Sequence, residues 1–511
     1  DFWELIRNDD RHPNDYGLEG FPIRHRPWIW TVARRSLIES DEWARYWSAD
    51  RGHLDTGFAD HFRSRGARAA VAFDFEGAAR HNPGLFAPGK LIEAGCPVLV
   101  RGLFDQFPPA LDQFAVILRP VLKRIEEVGY PIDLLWSSVV RTTPPRALNA
   151  SAGMLEILPD RTDVTLEEVQ RVCVVVHLPG LGFVDELLDR LQNLPQAYDL
   201  VITTTDGIKA ARIRKLLERA KPALCQRVEV RVAWVPGGRD MGALLVGCRD
   251  ILLGDDYDLI MRLHGRQSGH KPINVAEYAR RYQLDNLLSS PGYVIGLLRL
   301  FENEKGLGLV FPPMIHVGYR IMGRGWGSYR DAAKSVCREL GIRVPLDEVS
   351  PLAPFGGMWL GRPQALRLMA ERAWNARDYG LSRRGGHAEL SRLQERIIPL
   401  AAAETGYHCR TVLNHEHAEI SFSAMEFKAD QLSSTAPGYP AEQIHFLRRM
   451  GSMGRGGPVS LTRMYLNLHF PFIAQLLRPA FRSAGIAASW LGSFRGGVRS
   501  AVGSFRSKRQ R

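Results

Sequence analysis

The chain has 511 residues, of which 45% are hydrophobic, and a formal net charge of +12. This length predicts two or three domains with buried cores. The lack of an uninterrupted apolar run of about 18 residues argues against a membrane-spanning helix, and no signal peptide opens the chain. Six scattered cysteines without a CxxC pair favour reduced thiols in a cytosolic compartment. Because the sequence starts at Asp1 in what reads as the middle of a domain, we expect an N-terminal truncation.

Residues 1–155 combine helical patterns, such as FAVILRPVLKRIEEVG, with short apolar strands, such as AAVAFDF. The Pro-rich stretch RTTPPRALN at 141–149 predicts a loop. Two segments of the chain have a similar pattern, in which an apolar aromatic strand is followed by Arg, Leu and a helix that ends in Trp. They are WIWTVARRSLIESDEWARYW at 28–47 and GMWLGRPQALRLMAERAW at 357–374. This similarity suggests two related domains, and residues 1–155 would be the C-terminal part of the truncated first one.

A regular alternation of strands and helices starts near Arg171. The strand patterns are RVCVVVHL, YDLVITTT, RVEVRVAWV and YDLIMRLH, and helical stretches such as FVDELLDRLQNL lie between them. Continuous β-branched runs are typical of strands that are buried on both faces of a sheet. The order predicts a parallel sheet covered by helices, in an α/β domain that we assign to residues 168–430.

Polar residues follow three of the predicted strands, in TTTD at 203–206, GGRDMG at 237–242 and RLHGRQSGHK at 262–271. Ligands of open parallel sheets bind outside the carboxyl ends of the strands, and glycines before a helix let the backbone approach a phosphate. A turn with an Arg-Asp ion pair would give the same GGRDMG pattern. The candidate ligand-binding residues are Asp206, Gly238, Arg239, Asp240, Arg262, His264, Arg266 and Lys271.

Several common catalytic motifs do not occur in the chain. It has no GxxxxGK[ST], no GxGxxG after the first strand, no GxSxG and no HExxH. The sequence therefore does not favour a P-loop phosphotransferase, a dinucleotide-binding enzyme or a hydrolase. The cluster of His408, Cys409, His415 and His417 fits no zinc spacing, and the alternation of a strand explains it. We predict no metal ligand.

The order of these features resembles that of GT-A-type glycosyltransferases. In those enzymes an Asp-x-Asp motif at a strand end holds a divalent metal on the sugar-nucleotide diphosphate, whereas here the strand ends in Leu263-His264-Gly265-Arg266. More specifically, the chain resembles the rhamnan synthesis protein F family of bacterial polysaccharide glycosyltransferases from position 1 to about 430. The stretches that carry this resemblance are DFWEL, SLIESDEWARYW, NPGLFAPGKLIEAGCPVL, GYPIDLLW, RTTPPRALN, GGRDMGALLV, YDLIMRLHGRQSGH, FGGMWLGRPQAL and ERIIP.

The resemblance implies a GT-A-like, Rossmann-like nucleotide-sugar transferase domain. It also implies an inverting glycosyltransferase that moves a sugar, with L-rhamnose from dTDP-L-rhamnose as the leading candidate, onto a cell-wall or lipid-linked polysaccharide. The alternative is a non-catalytic subunit, sugar-binding or scaffolding, that has lost its metal acids. The family often has Asp-Gly-Thr-Leu-x-His before ERLIP, where this chain has HAELSR at 387–392.

The basic loop after the fourth strand suggests how a departing diphosphate would be stabilised. The family often has KLHTKKS where this chain has RLHGRQS, so the basic character persists. Fixed cations can replace a metal in this role, and Arg262, His264, Arg266 and Lys271 are the candidates. A solvated basic loop is the alternative, and Arg262 would then pair with Asp240 or Asp258. A divalent cation, Mg²⁺ or Mn²⁺, stays open as a cofactor.

An inverting transfer also needs a base for the acceptor hydroxyl. Glu389 is the first candidate because of its place after the GG-x-x-x-x-R strand, and Glu395 is the second. The two lie six residues apart on a predicted helix and hence on different faces, so at most one of them points into a cleft. A surface or capping role is the alternative for either. Asp206 would bind the nucleobase, or it is an ordinary turn residue.

The last segment, 431–511, is predicted to be a basic amphipathic tail. After Glu442 the chain has 12 basic and no acidic residues, and the remaining 55 basic residues equal the 55 acidic ones. Trp, Phe and Leu interleave with Arg, as in segments that lie in the plane of anionic membranes. Nucleic-acid binding is an alternative interpretation, but no known nucleic-acid-binding fold accompanies the tail. A disordered basic end is a third interpretation. The expected partners are a nucleotide sugar, a lipid-linked glycan and the cytoplasmic face of the cell membrane.

Overall fold

The structure is a computed structural model. It describes residues 4–6, 30–32, 88–93, 99, 101–105, 109–161, 163, 165–233, 235, 239–265, 273–316, 321–379, 389–434 and 443–444, with 462, 465–466, 470, 472–473 and 477 beyond them. The chain forms two compact units, one of residues 1–9 and 27–426 and one of residues 10–26 and 427–511. The predicted strand AAVAFDF and most of the segment at 28–47 lie outside the described residues.

The first unit is built on an eight-stranded sheet with the strand order β3-β10-β8-β9-β7-β4-β5-β6. The sheet is mixed, because β9 runs antiparallel to both of its neighbours and the other adjacent pairs are parallel. A short antiparallel pair, β1 and β2, stands apart from it. The strands are β1 Glu4–Ile6, β2 Trp30–Val32, β3 Leu155–Leu158, β4 Val172–Leu178, β5 Tyr198–Thr204, β6 Cys225–Val232, β7 Leu259–His264, β8 Leu307–Phe311, β9 Trp359–Gly361 and β10 His408–Asn414.

Helices connect these strands, as the alternation in the sequence predicts. They are α1 Pro88–Glu93, α2 Gly102–Asp105, α3 Ala110–Phe114, α4 Leu118–Glu127, α5 Ile132–Thr142, α6 Pro145–Ser151, α7 Val184–Leu191, α8 Gly207–Arg219, α9 Arg239–Leu245, α10 Arg249–Leu253, α11 Ile273–Asp285, α12 Pro291–Asn303, α13 Arg330–Glu339, α14 Arg367–Glu371, α15 Glu389–Glu404 and α16 His415–Ser433. The α/β prediction is confirmed.

The sheet separates two hydrophobic cores, and β4 shows how. Every residue of this strand is buried. Cys173 and Val175 belong to one core, whereas Val172, Val174 and Val176 belong to the other. Successive side chains of a strand point to opposite faces, so a run of β-branched residues serves both cores at once. The central strands thus form a buried platform under the residues at their ends.

The segment before residue 155 shares the first of these cores. Trp136 and Val140 of α5 belong to the same cluster as Cys173 of β4 and Ile397 of α15. Strand β3 pairs with β10 at the sheet edge, with Leu155 opposite Thr411. Among the described residues, the boundary expected between 155 and 168 therefore does not separate two cores.

The loop predicted for RTTPPRALN is wrong for most of its length. Helix α5 ends at Thr142, and α6 begins at Pro145 after a connection of two residues. Proline fits the first position of a helix because its missing N–H would have no partner there. The Asp347 carboxylate accepts hydrogen bonds from the backbone N–H groups of Arg146 and Ala147, and this supplies a negative charge at the helix start.

No helix of the described residues is long and apolar enough to cross a membrane. The described positions of the tail include exposed aromatic side chains, Tyr465 and Phe472.

Candidate functional site

Three neighbouring strands bring polar side chains to one point at their carboxyl ends. The register places His177 of β4 opposite Thr203 of β5 and opposite His264 of β7. All three side chains are buried. The Thr203 hydroxyl donates to the Val176 carbonyl, 3.3 Å away, and accepts from His177 Nδ1 at 3.0 Å. Residues in register on parallel strands face the same side, so this row lines one end of the sheet.

Arg262 and Asp240 form a buried ion pair beneath this row. Each side chain is 1% exposed, and Arg262 Nη2 lies 3.8 Å from Asp240 Oδ2. The same nitrogen donates to the Asp240 carbonyl oxygen, and Nη1 donates to the Leu263 carbonyl at 3.0 Å. Asp258 pairs with Arg171 instead, at 2.8 Å. The sequence left open whether Arg262 pairs with Asp240 or Asp258, and the structure selects Asp240.

A two-glycine turn before β9 closes over the row. Gly356 and Gly357 have φ angles of +107° and +83°, a region that favours glycine. A Cβ on Gly357 would lie 2.8 Å from Asp240 Oδ2 and 3.4 Å from the His264 ring. A Cβ on Gly356 would lie 2.0 Å from the amide nitrogen of Gln283. Both the backbone conformation and the close approach therefore require glycine here.

His264 and Glu395 hold this turn from two sides. His264 Nε2 donates to the Gly356 carbonyl oxygen, which accepts, so this nitrogen carries a proton. Glu395 Oε1 accepts from the Gly356 N–H at 3.1 Å. Both side chains are buried. One backbone residue thus joins the end of β7 to helix α15, and its two polar groups are both satisfied.

Other predicted residues of the site are only partly described. Glu389 is the first residue of α15, and its side chain lies outside the described part. Gly238, Arg266 and Lys271 also lie outside it, and their predicted roles stay predictions. Arg239 begins α9 with a φ angle of +50°. Non-glycine residues rarely adopt this conformation, and such strain is common beside functional sites.

Asp206 caps a helix at the end of β5. Its carboxylate accepts from the backbone N–H of Lys209 at 2.9 Å and pairs with Lys209 Nζ at 2.9 Å. The hydroxyl of Thr205 donates to the other carboxylate oxygen. These contacts, the backbone hydrogen bond first, lower the pKa of Asp206 to about 2. This is the local role that the sequence offered as the alternative, and contact with a nucleobase remains a prediction.

The side chains that the structure describes at the strand ends do not fit a divalent cation. Oxygen ligands are what Mg²⁺ and Mn²⁺ prefer. Asp240 is paired with Arg262, and His264 directs a protonated nitrogen at a carbonyl group. Within the described ranges, no group of three or more His, Cys, Asp or Glu side chains is arranged to hold a metal ion. His408 and His417 contact different acids, Glu304 and Asp285.

Sequence reasoning missed several residues of this arrangement. His177 ends a predicted strand, so its position at the sheet edge followed from the pattern, but it was not chosen as a site residue. Gly356 and Gly357 entered only as part of a strand motif. Gln283 gave no signal, because it lies inside an ordinary helical stretch.

Polar side chains gathered at the carboxyl ends of adjacent parallel strands define an α/β protein of the kind that is expected to bind a ligand at that edge of the sheet. The comparison with known families names the family. Residues 1–407 match rhamnan synthesis protein F, and the chain belongs to that family. The resemblance seen in the sequence is thereby confirmed, and polysaccharide synthesis is the process to which the family's description points.

The chain is also similar to two curated proteins, one from each of two strains of a single organism. It is 25% identical over 243 residues to "Uncharacterized protein WxcX" of Xanthomonas campestris pv. campestris, with the same figures in two strains. The matched region covers 47% of this chain and 32% of that protein. The chain thus spans about a third of the length of the curated relatives it matches.

Proposed function

We propose that the chain is a GT-A-like glycosyltransferase that binds a nucleotide-sugar donor at the carboxyl ends of β4, β5 and β7. The observation that carries this proposal is the convergence of His264, Glu395 and the Asp240–Arg262 pair on the Gly356-Gly357 turn. Such a cluster fixes the backbone at the place where open α/β sheets bind their ligands. The membership in a rhamnan synthesis family supports sugar transfer as the reaction.

The residues at the end of β7 have two different roles in this proposal. Arg266 and Lys271, which follow β7 in the sequence, supply the positive charge that stabilises the departing diphosphate. His264 fixes the end of β7 through its bond to Gly356. Arg262 does not touch the donor, because it is 1% exposed and its charge is already opposed by Asp240. It supports the site from below.

Glu389 is the base in this proposal, and Glu395 positions the turn. The Glu395 carboxylate is buried, and one oxygen already accepts the Gly356 N–H. A base must reach the acceptor hydroxyl, and an occupied, buried carboxylate is poorly placed for that task. Glu389 is the first residue of the same helix, and the spacing of six residues predicts a different face for it. Direct removal of the acceptor proton by Glu389 would give an inverting transfer.

We propose dTDP-L-rhamnose as the donor and a cell-wall or lipid-linked polysaccharide as the acceptor. The acceptor would be reached at the cytoplasmic face of the membrane through the tail. The family's description supports rhamnose. The 12 basic residues after Glu442 and the exposed Tyr465 and Phe472 support a membrane surface.

Calorimetric titration with dTDP-L-rhamnose and with UDP-glucose, in Mn²⁺ and in EDTA, tests the proposal. We expect dTDP-L-rhamnose to bind with similar affinity in both buffers, because fixed cations take the place of the metal. Failure of the folded protein to bind any nucleotide sugar would contradict the proposal. It would favour the alternative, a non-catalytic subunit of a polysaccharide assembly complex.

A further inference from the structure

A pocket lies at the end of the sheet opposite to the candidate site. It has a volume of about 470 Å³ and is lined mainly by residues of α4, α5, the segment that leads into β8 and the start of β10. These are the amino ends of the two strands, whereas the donor site proposed above is at the carboxyl ends of β4, β5 and β7. A strand of five residues is roughly 17 Å long, so the two places are distinct. The volume lies in the usual range of small-molecule sites.

One wall of the pocket is a connected set of polar side chains, of which His408 is buried and the other three are partly buried. His408 Nε2 and Arg410 Nε each lie 2.8 Å from Glu304 Oε2, and Arg410 Nη1 lies 3.0 Å from Glu156 Oε1. The Trp136 ring packs on the His408 ring, with 4.7 Å between centroids. Burial lowers the pKa of His408, so its ring is neutral at pH 7 and donates its Nε2 proton to Glu304. This wall is organised before any ligand arrives.

The open side of the pocket carries polar side chains of both signs. Within the described part of the chain, Lys123, Glu126, Asp133, Asn303 and Lys305 line the pocket and make no side-chain hydrogen bond or ion pair with another residue. All five are exposed. They offer both donors and acceptors to a ligand.

The chemistry of the lining favours a neutral ligand that is rich in hydroxyl groups. An anion would approach Glu126, Asp133 and Glu304, and a cation would approach Lys123 and Lys305. A hydroxyl group both donates and accepts, so it can use lysine and carboxylate partners together. Leu122, Ile132 and Trp136 provide apolar surface in the same pocket for the C–H face of a sugar ring. We infer that this pocket is a saccharide-binding site, separate from the place of sugar transfer.

A saccharide held here would tether a glycan to the protein at a distance from the reacting group. The inference stands on the lining of the pocket and not on the transfer reaction. The two are therefore tested in separate experiments. Family membership in rhamnan synthesis decides which probe is used first.

The test is calorimetric titration of the full chain with an α-L-rhamnose trisaccharide, with maltotriose and with inorganic phosphate, in the absence of any nucleotide sugar. The pocket variant is E126A/K305A. The matched control is E419A/K215A, which removes an exposed glutamate and an exposed lysine from α16 and α8, outside the pocket. None of the four side chains is bonded within the described residues, and far-UV circular dichroism and urea midpoints check that all variants fold.

We expect the rhamnose trisaccharide to bind the wild-type protein and to bind the pocket variant about tenfold more weakly, as the loss of hydrogen bonds predicts. The control variant should bind within twofold of wild type. Binding should change little between 50 and 300 mM NaCl, since a neutral ligand is not screened. The inference is overturned if neither trisaccharide binds the folded protein. It is also overturned if the pocket variant binds as wild type does, or if only phosphate binds in a salt-dependent manner.

Discussion

Substitution of Gly357 by alanine should disrupt the candidate site through two separate costs. The first is conformational, because the residue has a φ angle of +83° and the left-handed region costs a residue with a Cβ about 1–2 kcal/mol. The second is steric, because the new Cβ would lie 2.8 Å from Asp240 Oδ2, closer than real Cβ contacts allow. Asp240 is buried and paired with Arg262, so it has little room to move.

The expected total follows from the two costs. Overpacking in a close-packed interior typically costs about 1–3 kcal/mol. Added to the conformational cost, this predicts a loss of about 2–5 kcal/mol in the free energy of unfolding for G357A. The urea midpoint of the folded unit should fall accordingly, with the m value unchanged.

Gly341 provides a matched control. It has a φ angle of +74° after helix α13, and a Cβ on it would meet nothing within 4 Å. The variant G341A should therefore show only the conformational cost, and the difference between the two variants isolates the contact with Asp240. If urea titration finds G357A no less stable than G341A, the close packing of the turn on the buried pair is refuted.

Further predictions concern the acids, the loop and the tail. Turnover in E389Q should fall by roughly 10²–10⁴ with donor affinity unchanged, as measured in a transfer assay. In contrast, E395Q should retain activity because an amide oxygen still accepts the backbone N–H, whereas E395A should lose it. An inactive E395Q beside an active E389Q would make Glu395 the base. Donor binding by R266A should weaken by about 1.5–3 kcal/mol in calorimetry. An unchanged affinity would show that Arg266 does not replace a metal ion at the diphosphate. Burial raises the pKa of Asp347 from 3.8 in the unfolded chain to about 6 in the folded protein. Between these values the unfolded chain has lost the proton and the folded protein still holds it, so the free energy of unfolding should fall by roughly 3 kcal/mol as the pH rises from 4 through 6. The urea midpoint of D347N should lack this pH dependence. If the midpoints of D347N and the wild-type protein change with pH in parallel, Asp347 is not the group responsible. Removal of residues 461–511, which hold 9 of the tail's 12 cations, should abolish co-sedimentation with anionic vesicles, and equal sedimentation of both forms would show that the tail is not the anchor.

The sheet could be predicted largely from local sequence. Strands β4, β5 and β7 are short apolar runs between polar turns, and such runs have few other ways to bury their side chains. The antiparallel insertion of β9 between β7 and β8 could not be predicted, because strand pairing depends on contacts between distant parts of the chain. The helix at Pro145 was missed because proline is read as a breaker, although it also opens helices.

The candidate site was predictable for some of its residues but not as a geometry. Strand alternation placed Arg262 below His264 on one face, and the pairing with Asp240 was one of two stated options. The bonds of His264 and Glu395 to Gly356 join residues that are 92 and 39 positions apart. No local pattern encodes such distances. The sequence can therefore predict which polar residues lie at the end of a strand. The three-dimensional structure is needed to show which of them are buried and stabilise the site without contacting a ligand.

The pairing of β3 with β10 has a practical consequence for shortening this chain. Residues Thr411 to Asn414 of β10 pair with β3 on one side, and residues His408 to Thr411 pair with β8 on the other. A fragment that begins at residue 168 would lack β3 and would turn β10 into an edge strand with unpaired N–H and C=O groups. It would also uncover the apolar surface beneath Trp136 and Val140. Edges of this kind recruit strands from other molecules, so such a fragment should associate edge to edge rather than remain monomeric.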